Sequence, residues 1–147
     1  MADMEASMAA DAELLDRLKT VPLFEGLSDK ELKAVLGQSQ IVEHKENHVI
    51  VEEGRGSAGF HLILDGQAGV SKGSQKVATL SPGNYFGEIS VIDGKPRSAT
   101  VTAESPVRTL SLAAWKFQTL LDDHPTITRK ILLGLCQTIR SKEALTP

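Results

Sequence analysis

The sequence has little of the material that several large classes of protein need. It contains one cysteine, Cys136, which excludes an internal disulfide and any metal site built from several cysteines. Aromatic residues make up 4% of the chain, too few for the stacking platform on which single-stranded nucleic acid lies. The longest strongly apolar stretch, residues 131–136, is far shorter than the roughly 18 residues that span a bilayer. The 16 basic and 19 acidic residues leave a formal charge of −3, so no charge excess favours an anionic surface. We therefore expect a cytoplasmic protein with neither nucleic acid nor membrane as a partner.

Apolar patterning predicts helices at both ends of the chain and short strands between them. Residues 1–10 are predicted to be a disordered tail and residues 11–147 to form a single domain, a normal size for one. Ser28 and Glu31 have the spacing of a capping box, which predicts the start of the second helix. Short apolar runs separated by glycine, proline and aspartate turns occupy residues 41–42, 49–51, 60–64, 69–70, 77–80, 100–103 and 107–112. The pattern predicts a mainly β fold, an antiparallel β-roll or jelly roll (double-stranded β-helix) with flanking α-helices.

The final helix has a clear apolar stripe. Pro125 suits its first turn, and apolar residues then recur every four positions from Ile127 to Ile139. The stripe packs either on its own domain or on a second subunit, which leaves a homodimer open. Gly134 lies within this helix, where a glycine disfavours helix by about 1 kcal/mol relative to alanine, and we interpret it as a close packing contact.

Several familiar motifs do not fit their surroundings. The glycines of 54–59 match a dinucleotide-binding pattern, but a strand follows them instead of a helix, so we interpret them as a hairpin turn. His44 and His48 would have a zinc-ligand spacing on a helix, but strand-like residues flank them, which favours a hairpin connection. No serine lies in a nucleophile elbow, and Cys136 falls in an apolar helical run. We therefore predict no catalytic residue, no metal ligand and no enzymatic activity.

Residues 86–101 combine several parts of a phosphate site. Gly87 permits a close approach of the backbone, and the next residues can form one helical turn with free amides. Arg97 presents two parallel donors to two phosphate oxygens, which lysine cannot do. Glu88 would repel a phosphate but would accept hydrogen bonds from the hydroxyls of a ribose. From the residues alone, a ribose phosphate site and a simple Glu88–Arg97 ion pair in a turn are equally good explanations.

This segment resembles the phosphate-binding cassette of cyclic nucleotide-binding domains. The family pattern is F-G-E-[L/I]-[S/A]-[L/V]-[L/I]-x-x-x-P-R-[S/A/T]-A-[T/S]-V, and every specified position is met from Phe86 to Val101. The resemblance extends over roughly residues 14–143 and implies a β-roll with N-terminal helices, a short cassette helix and two C-terminal helices. Two positions depart from the family's usual glycines and acidic residues, at Asn47 and at Ser57-Ala58.

The resemblance also implies roles for individual residues. Glu88 would accept the ribose 2′-hydroxyl beside the Gly87 backbone, and Arg97 would pair with the phosphate oxygens. The backbone amides of Ser90 and Ser98 would complete the phosphate cradle. The remaining predicted ligand contacts are Ile89 and Ala99 in the cassette, Val70 and neighbouring strand residues at the base, and Ile139 and Arg140 as candidates that cap the base.

The resemblance implies a regulatory module that binds a cyclic nucleotide and signals by movement of its C-terminal helix as a lid. We favour cAMP over cGMP as the ligand, although a serine at position 98 is compatible with both. No cofactor is expected, and the regulated effector protein is unknown. The alternative is a protein-interaction module on the same fold that has lost nucleotide binding, for which the departures at Asn47 and residues 57–58 are the support.

Overall fold

The computed structural model describes residues 2–56 and 59–144, which form a helical unit and a mainly β unit. The helical unit contains the chain up to Gly37 and from Leu120 onward, and the β unit contains residues 38–119. Among the described residues, no helix has both the length and the apolar character needed to cross a membrane.

Five α-helices and eight strands make up the described chain. The helices are α1 (Ala2–Lys19), α2 (Asp29–Gln38), α3 (Glu88–Asp93), α4 (Ala114–Asp123) and α5 (Pro125–Ala144), with a 3-10 turn at Pro22–Phe24. The strands are β1 (Gln40–His44), β2 (Val49–Val51), β3 (Gly59–Asp65), β4 (Ala68–Lys72), β5 (Gln75–Leu80), β6 (Tyr85–Phe86), β7 (Thr100–Ala103) and β8 (Val107–Ala113).

The strands form two four-stranded antiparallel sheets. One sheet has the order β1-β8-β3-β6 and the other the order β2-β7-β4-β5. Buried side chains from both sheets form one core cluster, which includes Ile63 and Val107 from the first and Val51, Val101 and Ala103 from the second. The predicted antiparallel roll with flanking helices is therefore confirmed.

Two details of the predicted strand connections are wrong. The turn that contains His44 and His48 does not close a hairpin, because β1 and β2 belong to different sheets. The glycine-rich segment after β2 likewise passes from one sheet to the other instead of joining paired strands. Because most consecutive strands, β4 and β5 excepted, belong to opposite sheets, turn residues alone do not show which strands pair.

The helical unit shows the predicted capping box. The Ser28 amide donates to Glu31 Oε1 (2.9 Å), and the Glu31 amide donates to Ser28 Oγ (3.2 Å). Lys130 Nζ of α5 donates to the same Glu31 oxygen at 2.6 Å. Gly134 is a close contact, as predicted, because a Cβ there would lie 3.0 Å from the Leu23 carbonyl oxygen. These contacts fix α5 against α2 and the Pro22–Phe24 turn.

The N-terminal segment differs from its prediction. Residues 1–10 were expected to be a disordered tail, whereas α1 begins at Ala2. Alanine and methionine are strong helix formers, and a segment rich in both can extend the helix that carries buried Leu18. The single-domain assignment of residues 11–147 stays a prediction.

Candidate functional site

The segment between β6 and β7 folds around two glycines with positive φ. Gly87 (φ 94°) ends β6 and caps the first turn of α3, and Gly94 (φ 71°) ends α3. A Cβ at Gly87 would collide with the Gly59 carbonyl oxygen and the Arg97 guanidinium, so only glycine fits. In the first backbone hydrogen bond of α3, the Val91 amide donates to the Gly87 carbonyl oxygen (3.1 Å). The amides of residues 88–90 therefore have no partners inside the helix.

Arg97 is buried, with 6% of its surface exposed. Its Nη2 donates to the Gly59 carbonyl oxygen, while Nε has no hydrogen-bond partner. No ion pair within residues 2–56 and 59–144 involves this guanidinium. Burial lowers the pKa of Arg97, and the nearby Glu88 carboxylate acts in the opposite direction. An arginine remains charged in proteins, so a positive charge is held here without a paired carboxylate.

The backbone around Arg97 is fixed by the loop after β2. The Arg97 amide donates to the Arg55 carbonyl oxygen (2.9 Å), and the Gly54 amide donates to the Arg97 carbonyl oxygen (2.9 Å). These two bonds join the loop to the cassette and orient the side chain of Arg97 towards Gly59. Nothing in the sequence around residues 54–55 indicates this supporting role.

Glu88 lies at the N-terminus of α3 and is half-buried. Its carboxylate has no hydrogen-bond or ion-pair partner among the described residues, although its charge acts on both Arg97 and Tyr85. Burial raises the pKa of Tyr85, and Glu88 raises it further. The carboxylate therefore remains available as an acceptor near the Arg97 guanidinium, and the simple Glu88–Arg97 ion pair weighed from the sequence is not formed.

These side chains line a cavity of about 240 Å³ in the β unit. Polar groups of Glu88, Ser90, Arg97 and Ser98 occupy part of its wall. The rest is largely apolar, with strand residues Val51, Val70, Leu80 and Val101 together with Tyr85, Phe86, Gly87, Ile89 and Ala99. A cavity lined by both charged or polar groups and apolar side chains suits a ligand with one polar and one apolar end.

The structure brings together eight of the ten predicted ligand contacts. The eight that line the cavity are Val70, Gly87, Glu88, Ile89, Ser90, Arg97, Ser98 and Ala99. Ile139 and Arg140 lie on α5 of the helical unit, where both are exposed. The specific residues missed from the sequence are Val51, Leu80, Tyr85, Phe86 and Val101. For Val101 the available signal is the alternation of polar and apolar residues along β7, which indicates an inward-facing position; the uniformly apolar β2 gives no such signal for Val51.

Comparison with known proteins agrees with this geometry. A family model described as the cyclic nucleotide-binding domain matches residues 41–124. The cAMP-dependent protein kinase regulatory subunit of Yarrowia lipolytica is 36% identical over 108 residues, which are 71% of this chain and 28% of that protein. The CRP-like cAMP-activated global transcriptional regulator of Mycobacterium tuberculosis is 25% identical over 80% of this chain and 55% of its own length. The chain thus spans about a quarter of the kinase regulatory subunits it matches.

Solved structures show the same fold. The N-terminal domain of a transcriptional regulator from Streptomyces coelicolor A3(2) superposes with a TM-score of 0.78, at 24% identity over 86% of this chain and 94% of that one. The Thermus thermophilus catabolite activator protein gives a TM-score of 0.68, at 26% identity over 84% of this chain and 60% of that one.

Proposed function

The chain belongs to the cyclic nucleotide-binding domain family, and we propose that its Arg97 cavity binds a cyclic nucleotide, with cAMP as the favoured ligand. The observation that supports this most directly is the buried, unpaired guanidinium of Arg97. A buried charge without a partner is costly, so its retention calls for an anion that completes the site. A cyclic phosphodiester has the single negative charge and the oxygens that this site needs.

The phosphate would be bound by Arg97 and by the backbone around it. The guanidinium offers two parallel donors, of which the Nη2 group also holds the Gly59 carbonyl oxygen. The amides of Ser90, in the first turn of α3, and of Ser98, beside Arg97, supply further donors close to the same wall of the cavity. Each hydrogen bond to a charged group contributes about 1.5–3 kcal/mol.

Glu88 would recognise the sugar. Its carboxylate has no partner in the described chain and lies beside the Arg97 charge, where the ribose of a bound cyclic nucleotide would present its 2′-hydroxyl. A carboxylate accepts hydrogen bonds but does not donate them, so it favours a sugar hydroxyl over a second phosphate oxygen. Removal of Glu88 should therefore reduce discrimination against a 2′-deoxy ligand.

The apolar wall would hold the base. Val51, Val70, Leu80 and Val101 provide this surface. It selects a flat, largely apolar group without specifying adenine or guanine. The preference for cAMP is supported by the names of the relatives in Yarrowia lipolytica and Mycobacterium tuberculosis, which both refer to cAMP. The proposal involves no enzymatic step.

The signal would pass from the cassette to the C-terminal helices. Gln118 of α4 donates from its side chain to the carbonyl oxygen of Val91 in α3, so α4 is bonded directly to the cassette helix. Helix α5 follows α4 after one residue and carries exposed Ile139 and Arg140 in its C-terminal half. In this proposal α5 moves as a lid, and these two side chains cap the base. A homodimer stays a prediction, and the regulated effector is unknown.

Calorimetric titration with cAMP and cGMP tests the binding proposal. Arg97→Lys keeps the charge but loses the two-pronged geometry, so the Kd for cAMP should rise at least about tenfold. Arg108→Lys is the matched control, since Arg108 is an exposed arginine paired with Asp65 outside the cavity, and its Kd should not change. No binding of either nucleotide by the wild-type protein would favour the interaction-module alternative. Equal affinity of wild type and Arg97→Lys would contradict the assigned role of Arg97.

A second titration series tests the lid. Ile139→Ala and Arg140→Ala should each lower the affinity for cAMP, because each removes a group proposed to cover the base. Leu132→Ala is the control, because Leu132 is an equally exposed apolar residue of α5, at 56% against 57% for Ile139. Unchanged affinity in both test variants would remove the lid from the proposal and leave the cavity assignment intact.

A further inference from the structure

A chain of buried polar side chains connects strands β3, β8 and β1. His61 Nδ1 lies 2.7 Å from Ser111 Oγ, and Ser111 Oγ lies 2.8 Å from Thr109 Oγ1. Thr109 Oγ1 in turn lies 3.1 Å from Nε2 of His44, which is half-buried at the other end. His61, Ser111 and Thr109 are all buried. The chain thus links a buried imidazole to one near the surface through two hydroxyl groups.

The buried end of this chain adjoins the Arg97 site. His61 stacks on Phe86 with ring centroids 5.0 Å apart, and Phe86 precedes the Gly87 against which the guanidinium packs. Arg97 also donates to the carbonyl of Gly59, two residues before His61 on β3. Two buried side-chain atoms of the described residues have no hydrogen-bond partner, His61 Nε2 and Arg97 Nε. His61 therefore packs against Phe86 and lies on the same strand as Gly59, next to the backbone that contacts Arg97.

The positive charge of Arg97 determines which form of His61 is favoured. A neutral imidazole can present a lone pair at Nε2 and donate from Nδ1 to Ser111 Oγ. Ser111 can then donate to Thr109, and Thr109 can donate either to His44 Nε2 (3.1 Å) or to the Val42 carbonyl oxygen (3.5 Å). A proton added at Nε2 of His61 would place a second positive charge beside Arg97.

Resting on the proposed function, we infer that His61 is a proton-linked positioning residue of the anion site, so that an anion bound at Arg97 is accompanied by proton uptake at His61. The linkage follows from charge. The anion offsets the repulsion by Arg97 and leaves protonated His61 with Ser111 as a hydrogen-bond acceptor on its other nitrogen. Proton and anion therefore favour each other's binding by the same factor.

The pH range follows from the free protein. Burial, together with the charges of Arg97 and His44, lowers the pKa of His61 from its usual 6.5 to about 4. A bound anion raises this pKa, so affinity increases as pH falls through the interval between the bound and the free values. A rise of one unit corresponds to a tenfold gain in affinity, within the usual range of coupling.

The other groups around His61 do not replace it in this role. On β8 the facing groups are the hydroxyls of Ser111 and Thr109, which do not titrate in this range, and on β6 the facing group is the Phe86 ring. His44 on β1 does titrate, and burial together with stacked His48 lowers its pKa. The experiment must therefore separate His61 from His44.

Proton uptake can be measured directly. We would titrate the full chain with cAMP at pH 5 by calorimetry, in buffers of different ionisation enthalpy, and follow the histidine ring signals by NMR with and without cAMP. The sequence has four histidines, so His61→Phe identifies the signal of His61 while keeping a ring against Phe86. Wild type should take up a fraction of a proton, and the His61 pKa should rise by about one unit on saturation. His61→Phe should lose both effects.

Three further variants separate the explanations. His124→Gln removes an exposed histidine of the helical unit and should keep the full proton uptake. His44→Gln should also keep most of it, whereas Ser111→Ala should reduce it, because protonated His61 then loses its acceptor. Protonation of the adenine ring contributes equally in every variant and cancels in the comparison. Binding of cAMP with identical proton uptake in wild type and His61→Phe would overturn this inference while leaving the proposed function intact. Absence of cAMP binding at pH 7.5 would instead contradict the proposed function.

Discussion

Replacement of Arg97 by methionine should stabilise the protein in the absence of a nucleotide and abolish its response to one. Arg97 is 6% exposed, its Nε has no partner, and no carboxylate is paired with it in the described chain. If Arg97 served folding alone, we would expect a carboxylate to compensate its buried charge. If it serves to bind an anionic ligand, its uncompensated charge lowers the stability of the free protein.

The size of the effect follows from two opposing changes. Removing an uncompensated buried charge relieves a desolvation penalty of several kcal/mol. Loss of the Nη2 donor leaves the buried Gly59 carbonyl oxygen unsatisfied, at a cost of about 1–3 kcal/mol. Methionine fills a similar volume without a charge, so the cavity penalty is small. The net free energy of unfolding should rise by about 1 kcal/mol, equivalent to roughly 3 °C in Tm for a domain of this size.

Urea unfolding with and without cAMP measures both the stability of the free protein and its stabilisation by the nucleotide. Without ligand, Arg97→Met should unfold at a higher urea concentration than wild type. At cAMP about 100 times Kd, wild type should gain about 2.7 kcal/mol and become the more stable of the two. The control Arg108→Met removes an exposed ion pair with Asp65 and should change stability by less than about 1 kcal/mol under both conditions. A nucleotide-free Arg97→Met protein that is less stable than wild type by more than 1 kcal/mol would refute the reasoning.

Two predictions concern the helical unit. Gly134→Ala should lower the free energy of unfolding, measured in urea, by about 1–2 kcal/mol, because the new Cβ would press on the Leu23 carbonyl oxygen. The control is Gly37→Ala, which should be neutral or stabilising because Gly37 is a helical glycine with open space around it. A Gly134→Ala protein more stable than wild type would contradict the close contact. Lys130 and the capping bond hold the pKa of Glu31 at about 2, below its usual 4.5, so this carboxylate stabilises the fold above pH 4.5 and less as pH falls towards 2. Glu31→Gln should therefore cost about 1 kcal/mol at pH 7, and an equal difference from wild type at pH 2.5 would rule out the ionic contribution.

The cassette could be predicted from the sequence because its determinants are local. Gly87, Glu88 and Arg97 belong to one continuous segment, and the positive φ of Gly87 together with the short helix α3 accounts for most of the path that brings them to one cavity; the bonds from the loop after β2 to Arg97 are the part that is not local. Likewise Asn47, noted as a departure from the family's usual glycine, adopts φ 71°. Asparagine tolerates this left-handed conformation better than most residues, so the departure keeps the turn.

The individual apolar residues that line the cavity are harder to predict, because they come from separate strands. Val51, Leu80 and Val101 meet only after the two sheets assemble, and nothing near each of them in the sequence distinguishes a cavity wall from a filled core. The two-residue strand β6 is too short to show any alternation. The two hairpins predicted at residues 44–48 and 54–59 are wrong for a related reason. Turn composition indicates where the chain reverses but not which strand it then pairs with.

His61 illustrates a property that only strand register reveals. Within Phe60–Leu64 it is one polar residue in an apolar run, and its neighbours on both sides are buried, so no alternation marks it. The antiparallel register places it directly opposite Ser111, and Thr109 follows two positions along β8 on the same face. His61 and a pair of hydroxyl residues 50 positions away in the sequence thereby become one hydrogen-bonded chain that ends beside Arg97. Because protonation of a buried imidazole next to a buried guanidinium is unfavourable unless an anion offsets the charge, the two buried side chains of the described chain with an unpartnered nitrogen, His61 and Arg97, converge at the site proposed for the ligand.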